Sequence, residues 1–180
     1  MRKPNKKITD DAVIIELLNT CHTARLGTVG ADGWPMVKPL NFAYHRGRIY
    51  FHCALEGEKL DDIRRDNRVS FEVDLPVAYV RGTLENPCRA EYLYRSVIVK
   101  GRAVIVEEGN ERLLALDLLM GKYQPERGYG SYAEDKLALT CIVRIDIVEM
   151  SGKEDLGKGK MKEKALRAIE QKVTLPIIMD

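Results

Sequence analysis

The sequence predicts a mainly β protein, folded as an antiparallel barrel or sandwich, on three observations. Six stretches alternate apolar and polar residues with the period of two that half-buried strands show. Only two or three stretches have helical periodicity, and just one of these could cross between two strands. A doubly wound parallel sheet needs such a crossover after nearly every strand, so the antiparallel arrangement is favoured.

The composition fits one globular domain of 180 residues, with 45% hydrophobic residues for a core. The 29 Lys and Arg residues nearly balance the 27 Asp and Glu residues, so a net charge of +2 gives no bulk attraction to nucleic acid or a membrane surface. No apolar run reaches the ~18 residues of a membrane span, and no apolar segment follows the basic N-terminus. We therefore expect a cytoplasmic protein without nucleic-acid or membrane partners.

The chain is expected to begin with a helix and a β-hairpin. Thr9 is the candidate N-cap of the helix. Five apolar residues then recur at helical spacing and predict one buried face: Val13, Ile14, Leu17, Leu18 and Cys21. The period then changes to two, and the first strand ends at "GADG", residues 30 to 33, where Asp32-Gly33 is a strong hairpin signal.

The return strand of this hairpin, "WPMVKPLNFAY", is expected at an edge of the sheet or where pairing is interrupted. Its Pro35 and Pro39 cannot donate ladder hydrogen bonds. The turn "HRGR", residues 45 to 48, leads into a strand over residues 49 to 54. A short helix follows, and residues 69 to 74 then alternate as another half-buried strand.

The second half of the chain predicts two long strands with a helix between them. Residues 91 to 106 form a β-rich run in which Gly101 indicates a bulge or a sharp bend. Residues 111 to 119 are helical by period and propensity, and Gly121 is placed to end that helix. The last strand alternates over residues 139 to 150. The segments expected to be irregular are residues 76 to 90 and 122 to 135.

A domain boundary is predicted at the Lys/Gly-rich stretch "SGKEDLGKGK". The folded domain would cover residues 1–155, and residues 156–180 would form a basic, partly helical tail. Within the tail, residues 161 to 172 are helix-prone and carry four Lys or Arg residues against two Glu residues. This segment either packs on the barrel or on a partner subunit, or is partly disordered.

The common catalytic and metal-binding motifs are absent from the sequence. It has no P-loop, no dinucleotide-binding glycine motif after a strand and no HExxH or GxSxG motif. The four cysteines are widely spaced and form no CxxC pair, so free thiols are expected: Cys21, Cys53, Cys88 and Cys141. The histidines are too scattered for a metal motif, and His22 and His45 are expected at the surface.

Two residues near the short helix are candidates for function. His52 ends an apolar strand, where it is either a structural histidine or a functional one. Lys59 lies in the first turn of the helix, where the partial positive charge of the N-terminus disfavours a cation. It either forms surface ion pairs with Glu56, Glu58 or Asp62, worth ~0.5 kcal/mol each, or binds a phosphate together with the free N–H groups after Gly57.

Two segments together resemble the pyridoxamine 5'-phosphate oxidase-like, FMN-binding split-barrel family: "RLGTVGADGWPMVKPLNFAYHRGRIYFHCALEGEKLDDIRRDNRVSFEVD" and "YRSVIVKGRAVIV". The order of hairpin, proline-bearing strand, strand ending in "FH" and Gly-x-Lys helix carries the resemblance. "YFH", Gly-x-Lys and "SGK" at residues 151 to 153 are closest to its nitroimidazole-reductase-like branch. The resemblance implies a six-stranded antiparallel Greek-key split β-barrel and a homodimer with FMN in the subunit interface.

The resemblance also implies which residues contact the flavin. Lys38, Pro39, Leu40 and Asn41 would run beside the isoalloxazine ring, and Phe51, His52, Cys53 and Ala54 would border the ring and the ribityl phosphate. Lys59 would pair with the phosphate, and Ser96 would reach the flavin from the following long strand. His52 is the candidate catalytic residue, because an imidazole can donate a proton or orient an acceptor near neutral pH.

The function implied is that of an FMN-dependent oxidoreductase. Electrons would pass from a reduced nicotinamide to a small acceptor such as a nitroaromatic or a quinone, with Lys38 or a backbone N–H stabilising the reduced flavin. The alternative is a flavin- or haem-binding module without robust turnover, and a third possibility is a barrel that serves only as an interaction domain. Oxidation of a B6 vitamer is not expected, since "CIVRIDIVEMSGK" replaces the Arg/Trp-containing signature of true pyridoxamine-phosphate oxidases.

Overall fold

The computed structural model describes residues 4–107 and 109–179. The first residues of the predicted domain and the last residue of the predicted tail lie outside these ranges. The described strands are β1 Lys7–Ile8, β2 Ala24–Val29, β3 Pro35–Leu40, β4 Ala43–His45, β5 Arg48–Cys53, β6 Arg68–Val80, β7 Glu91–Val106, β8 Cys141–Asp155 and β9 Ile177–Met179. The described α-helices are α1 Asp11–Thr20, α2 Glu58–Arg65, α3 Asn110–Tyr123, α4 Glu134–Ala138 and α5 Lys160–Glu170.

The strands form one sheet, and the mainly β class predicted from the sequence is confirmed. Their hydrogen-bonded order is β3-β2-β6-β7-β8-β5-β4, with β1 beside β8 and β9 beside β6. The pairs β2–β3, β2–β6, β4–β5, β5–β8 and β1–β8 are antiparallel, whereas β9 runs parallel to β6.

The strand count over the described residues is nine rather than the predicted six. The six longer strands, each of at least 6 residues, correspond to the six alternating stretches. The additional strands β1, β4 and β9 have only 2, 3 and 3 residues. A period of two cannot be recognised in so few residues, which explains the difference.

Contacts divide the described chain into two units, and the first contains residues 4–17, 74–97 and 151–179. Its buried core comprises Val77, Ala78, Val80, Leu93, Leu156, Ala165 and Met179. Helix α5 contributes Ala165 to this core, and its Met161, Leu166 and Ile169 pack against the cluster. The helical part of the basic tail therefore packs its apolar face inside the first unit.

The second unit contains residues 18–73 and 98–150. Helix α3 packs on its sheet through Ala115, which clusters with Tyr50, Val106 and Ile142. Elsewhere in the unit the rings of Phe42 and Phe71 meet edge to face with centroids 4.9 Å apart. Within the described ranges, no helix of either unit is both long enough and apolar enough to cross a bilayer.

Two predicted boundaries are wrong, the first because of a local hydrogen bond and the second because burial extends a strand. The N-cap of α1 is Asp10 rather than Thr9, since Asp10 Oδ1 accepts a hydrogen bond from the N–H of Ala12 at 2.9 Å. Strand β6 continues to Val80 through a stretch predicted to be irregular. This extension buries Val77 completely and supplies the ladder on which β9 pairs.

The end of α3 also differs from the prediction, because the helix passes Gly121 and ends at Tyr123. Lys122 Nζ donates a hydrogen bond to the carbonyl of Leu18 at 3.0 Å and lies 3.6 Å from the centroid of the Phe42 ring. The Tyr123 hydroxyl accepts a hydrogen bond from the N–H of Phe42 at 3.0 Å. These contacts outweigh the ~1 kcal/mol penalty of a helical glycine, so the last turn forms. The irregular segment that follows is shorter than predicted, because α4 begins at Glu134.

Replacing Lys122 by methionine is expected to change how stability depends on pH. Burial lowers the pKa of Lys122 from 10.5 to about 8, so between these pH values the unfolded chain binds more protons than the folded protein. Wild-type stability should therefore rise relative to Lys122→Met across this window, by about 1 kcal/mol given the partial exposure of the amine. Urea unfolding of both proteins at about pH 7.5 and about pH 10 measures the difference, and parallel pH profiles would contradict it.

Candidate functional site

Strand β3 carries three of the four residues predicted to line the flavin ring. It follows β2 through the predicted hairpin, in which the N–H of Gly30 donates to the carbonyl of Trp34 at 2.7 Å and Gly33 has a φ of 83°. As the prolines predicted, β3 lies at an end of the strand order, with β2 as its neighbour. Lys38 and Leu40 are half-buried, whereas Pro39 and Asn41, which follows the strand, are exposed.

Helix α2 begins as the sequence predicted, with Gly57 as its N-cap and Lys59 in its first turn. Gly57 has a φ of 131°, a conformation that favours glycine, and no side chain caps the helix. The N–H groups of Leu60 and Asp61 donate to the carbonyl of Gly57 at 2.8 and 3.2 Å. The preceding N–H groups, of Glu58 and Lys59, find no acceptor in the part of the chain that the structure describes and remain available to an anion.

The Lys59 ammonium lies 5.2 Å from the centroid of the Phe51 ring. Phe51 belongs to β5 and is completely buried. Among the described residues Lys59 forms no ion pair, so the surface ion pairs considered from the sequence are not formed. The contact with Phe51 brings the first turn of α2 onto β5. It leaves the charge of Lys59 without a carboxylate partner on the described chain.

Lys38 connects β3 to the same turn of α2. Its Nζ lies 2.8 Å from Glu58 Oε2 and 4.0 Å from Asp62 Oδ2. The atom is buried, yet neither contact has the geometry of a hydrogen bond, so the attraction is Coulombic and the ammonium keeps its donors. Lys38, predicted beside the isoalloxazine ring, and Lys59, predicted at the phosphate, therefore both lie at the first turn of α2.

Asp62 holds this arrangement in place, a role that the sequence did not reveal. Its side chain is only 2% exposed and accepts hydrogen bonds from Thr28 Oγ1 and Arg65 Nη2, both at 2.8 Å. Burial alone would raise the pKa of Asp62, but these hydrogen bonds outweigh burial and lower the pKa. The sequence signal that could have indicated burial of Asp62 is its position between Leu60 and Ile63, on the buried face of α2.

The end of β5 presents the other predicted contacts. His52 pairs with Ile142 of β8, and its side chain is exposed. No hydrogen bond of His52 occurs within the described residues, so the structure does not make it a satisfied structural histidine. Cys53 is half-buried opposite Cys141, and Ala54 is exposed. Of the other two histidines, His22 is exposed and His45 is half-buried.

Of the predicted residues, the structure brings Lys38, Phe51 and Lys59 together at the first turn of α2. The contacts of Lys38 and Lys59 place β3 and β5 against that turn within the second unit. Ser96 is half-buried on the part of β7 that belongs to the first unit. Its contact with a flavin stays a prediction.

Comparisons with known proteins give a family match and several similar structures. A model of the pyridoxamine 5'-phosphate oxidase family matches residues 10–154. A candidate 5-nitroimidazole antibiotic resistance protein from Bacteroides thetaiotaomicron is 24% identical with a TM-score of 0.71, over 82% of this chain and 86% of that one. An FAD- and haem-binding protein from Mycobacterium smegmatis is 20% identical with a TM-score of 0.76, over 91% of this chain and 80% of that one.

A flavocytochrome from Azotobacter vinelandii is similar as well, with 19% identity and a TM-score of 0.73 over 91% of this chain and 77% of that one. Among curated proteins, none matches the chain. At these identities the likeness to solved structures establishes the fold, which is the split barrel that the sequence predicted.

Proposed function

Because the chain belongs to the pyridoxamine 5'-phosphate oxidase family, we propose that it binds a flavin, FMN, with the phosphate at the N-terminus of α2. The observation that carries the proposal is the open first turn of this helix. Two N–H groups lack acceptors on the described chain, the glycine cap adds no side chain, and the Lys59 ammonium has no carboxylate partner there. Helix N-termini with such donors bind phosphate groups.

The residues around this turn fit the remainder of the cofactor. Strand β3 has β2 as its neighbour and lies at an end of the strand order, so the main chain of residues 38 to 41 can meet the polar edge of an isoalloxazine ring. The Lys38 ammonium, held beside Glu58, supplies positive charge at the same place. A cation and main-chain N–H groups stabilise negative charge on a reduced flavin.

Oxidoreductase activity is the function that we propose for this site, in a cytoplasmic homodimer with the cofactor at the subunit interface. When bound, the flavin would accept a hydride from a reduced nicotinamide and pass electrons to a small acceptor such as a nitroaromatic or a quinone. The exposed imidazole of His52 has no partner on the described chain, so a ring N–H of His52 is free to donate a proton to that acceptor. The likeness to a candidate 5-nitroimidazole resistance protein supports a nitro compound as acceptor.

A second candidate function is flavin or haem binding without robust turnover. It is favoured by the likeness to an FAD- and haem-binding protein and to a flavocytochrome, both with TM-scores above 0.7. One experiment distinguishes the two functions. Protein that carries flavin but does not oxidise a reduced nicotinamide, with or without nitroaromatic acceptors, would support the binding module.

Lys59→Ala is expected to weaken FMN binding at least about tenfold, because a charge-assisted contact with the phosphate is lost. Riboflavin, which lacks the phosphate, should bind the variant and the wild type equally. Fluorescence titration of purified protein with both ligands measures the two affinities, and chromatography of the released cofactor distinguishes FMN from FAD. Lys100→Ala is the matched control, since Lys100 is exposed and pairs with Glu149 on the same unit.

Two results would contradict the proposal. Wild-type protein that shows neither flavin absorption as purified nor binding of added FMN would exclude a flavin site. An equal loss of FMN and riboflavin affinity in Lys59→Ala would mean that Lys59 does not act on the phosphate.

A further inference from the structure

We propose that Cys53 and Cys141 form a redox-active dithiol, which closes reversibly to an intrachain disulfide at the end of the β5–β8 ladder. Neither the family match nor the similar structures point to such a site. The proposal rests on the facing thiols alone and does not depend on flavin binding.

The register of the two strands places these cysteines face to face. Cys53 is the last residue of β5 and Cys141 the first of β8, and they are the final pair of the antiparallel ladder. Directly opposed residues project to the same face with Cα atoms ~4.5–5.5 Å apart, within the ~4.4–6.8 Å that disulfides span. The neighbouring Cys141 thiol contributes to the raised pKa of Cys53, which indicates that the two side chains are close enough to interact. Closing the bond therefore needs little movement of the backbone.

The other two cysteines have different surroundings. Cys21 is buried after the end of α1, and Cys88 is exposed in a short 3₁₀-helix, Pro87–Arg89. Both lie outside the described strands. This contrast makes Cys21 and Cys88 internal controls for the reactivity of the facing pair.

Oxidants can reach the pair from the surface. Cys141 lines a cavity of about 780 Å³ whose wall also includes Leu55, Thr140, Arg64 and Arg112. Cys53 is half-buried and is followed by the exposed Ala54. Burial raises the pKa of the Cys53 thiol to about 11, while the positive charges of Lys59 and Arg64 oppose the increase. Higher pH should therefore accelerate the reaction.

Hydrogen peroxide supplies the oxidising equivalents. One thiolate attacks a peroxide oxygen, the O–O bond breaks, and the departing hydroxide takes up the thiol proton as water, leaving a sulfenic acid. The facing sulfur then attacks that sulfur, displaces its hydroxyl group as a second water with its own proton, and completes the S–S bond. Each sulfur loses one electron, and the peroxide gains both.

A disulfide here would join the strand end that leads to the first turn of α2. Ala54 continues from Cys53 toward the Gly57 cap and Lys59, whose ammonium lies over Phe51. Fixing residue 53 to β8 restrains the chain just before that turn. Oxidation therefore acts on the segment that carries the proposed phosphate site.

Treating the reduced full-length protein with peroxide, blocking free thiols and mapping peptides by mass spectrometry tests the proposal. We expect a linkage of Cys53 to Cys141 that dithiothreitol reverses, with Cys88 alkylated throughout. Cys53→Ser and Cys141→Ser should each abolish the linkage, and Cys88→Ser should leave it unchanged. Linkage should form faster as pH is raised from neutral toward the pKa of Cys53, about 11.

A second measurement uses the unmodified chain, so it does not depend on whether a variant folds. Phenylarsine oxide condenses with two adjacent thiols and releases water without any redox step. One equivalent should protect Cys53 and Cys141 from alkylation but not Cys88. If the arsenical protects neither cysteine and peroxide yields only sulfinic acid or dimers linked through Cys88, the proposal is wrong.

Discussion

Replacing Asp62 by alanine is expected to lower the free energy of unfolding by about 3 kcal/mol. The carboxylate is only 2% exposed and accepts hydrogen bonds from Thr28 and Arg65. Without it, the hydroxyl of Thr28, which is 4% exposed, has no acceptor, and the buried Nζ of Lys38 loses one of its two neighbouring carboxylates. Breaking a buried charge network in this way costs far more than removing an exposed ion pair.

Urea unfolding of the variant and the wild type measures the loss, and Asp61→Ala provides the matched control. Asp61 is the preceding residue of α2, and its exposed carboxylate pairs with Arg64 at 3.1 Å. That control should change stability by less than about 0.5 kcal/mol. Equal losses in the two variants would show that the buried network is not the cause.

The contribution of Asp62 should also depend on pH in a defined direction. Because the pKa of Asp62 is lowered in the folded protein, its contribution is complete above the unfolded value of ~3.9 and is lost as pH falls through the folded value. The stability difference between wild type and Asp62→Ala should therefore shrink in acid. A difference that grew on acidification would contradict the assigned hydrogen bonds.

Gly101→Ala is expected to destabilise the protein by roughly 2–3 kcal/mol through overpacking. A Cβ at this position would overlap Cγ2 of Ile145 and would lie 2.9 Å from the carbonyl oxygen of Asp146. Ile145 is completely buried, and the carbonyl belongs to β8, so neither atom can move away freely. Strand β7 continues through Gly101, and the close approach of β8 explains why a glycine occupies this position.

Gly121→Ala is the control for this substitution and should have the opposite effect. Gly121 lies inside α3, and a Cβ there would meet no atom within 4 Å. Alanine should stabilise the helix by about 0.5–1 kcal/mol. Thermal or urea unfolding distinguishes the two variants, and a neutral result for Gly101→Ala would mean that the two strands separate easily at this point.

The sequence predicted those parts of the fold that depend on local pattern. Alternating apolar and polar residues predict the long strands, Asp32-Gly33 predicts the hairpin, and Gly57 marks the start of α2. The end of α3 could not be predicted in the same way. Glycine usually stops a helix, but here Lys122 contacts Leu18, which lies 104 positions earlier in the chain, and Phe42, which is also distant in sequence.

In the candidate site, too, the sequence revealed the local signal but not the tertiary contact. Lys59 stood out because a lysine in a first turn contradicts a local electrostatic rule. Asp62, only three residues later, looked like a surface partner for Lys59, whereas it is buried against Thr28. A tertiary hydrogen bond leaves no periodic trace in the sequence, so the residue that holds the site together was missed.

The prolines of β3 have a consequence for the protein in concentrated solution. An edge strand normally exposes a row of amide hydrogens and carbonyls that can recruit a strand from another molecule, which is a route to aggregation. In β3, Pro35 and Pro39 have no amide hydrogen to offer such a strand. The edge beside the proposed flavin site is therefore a poor template for intermolecular β-pairing.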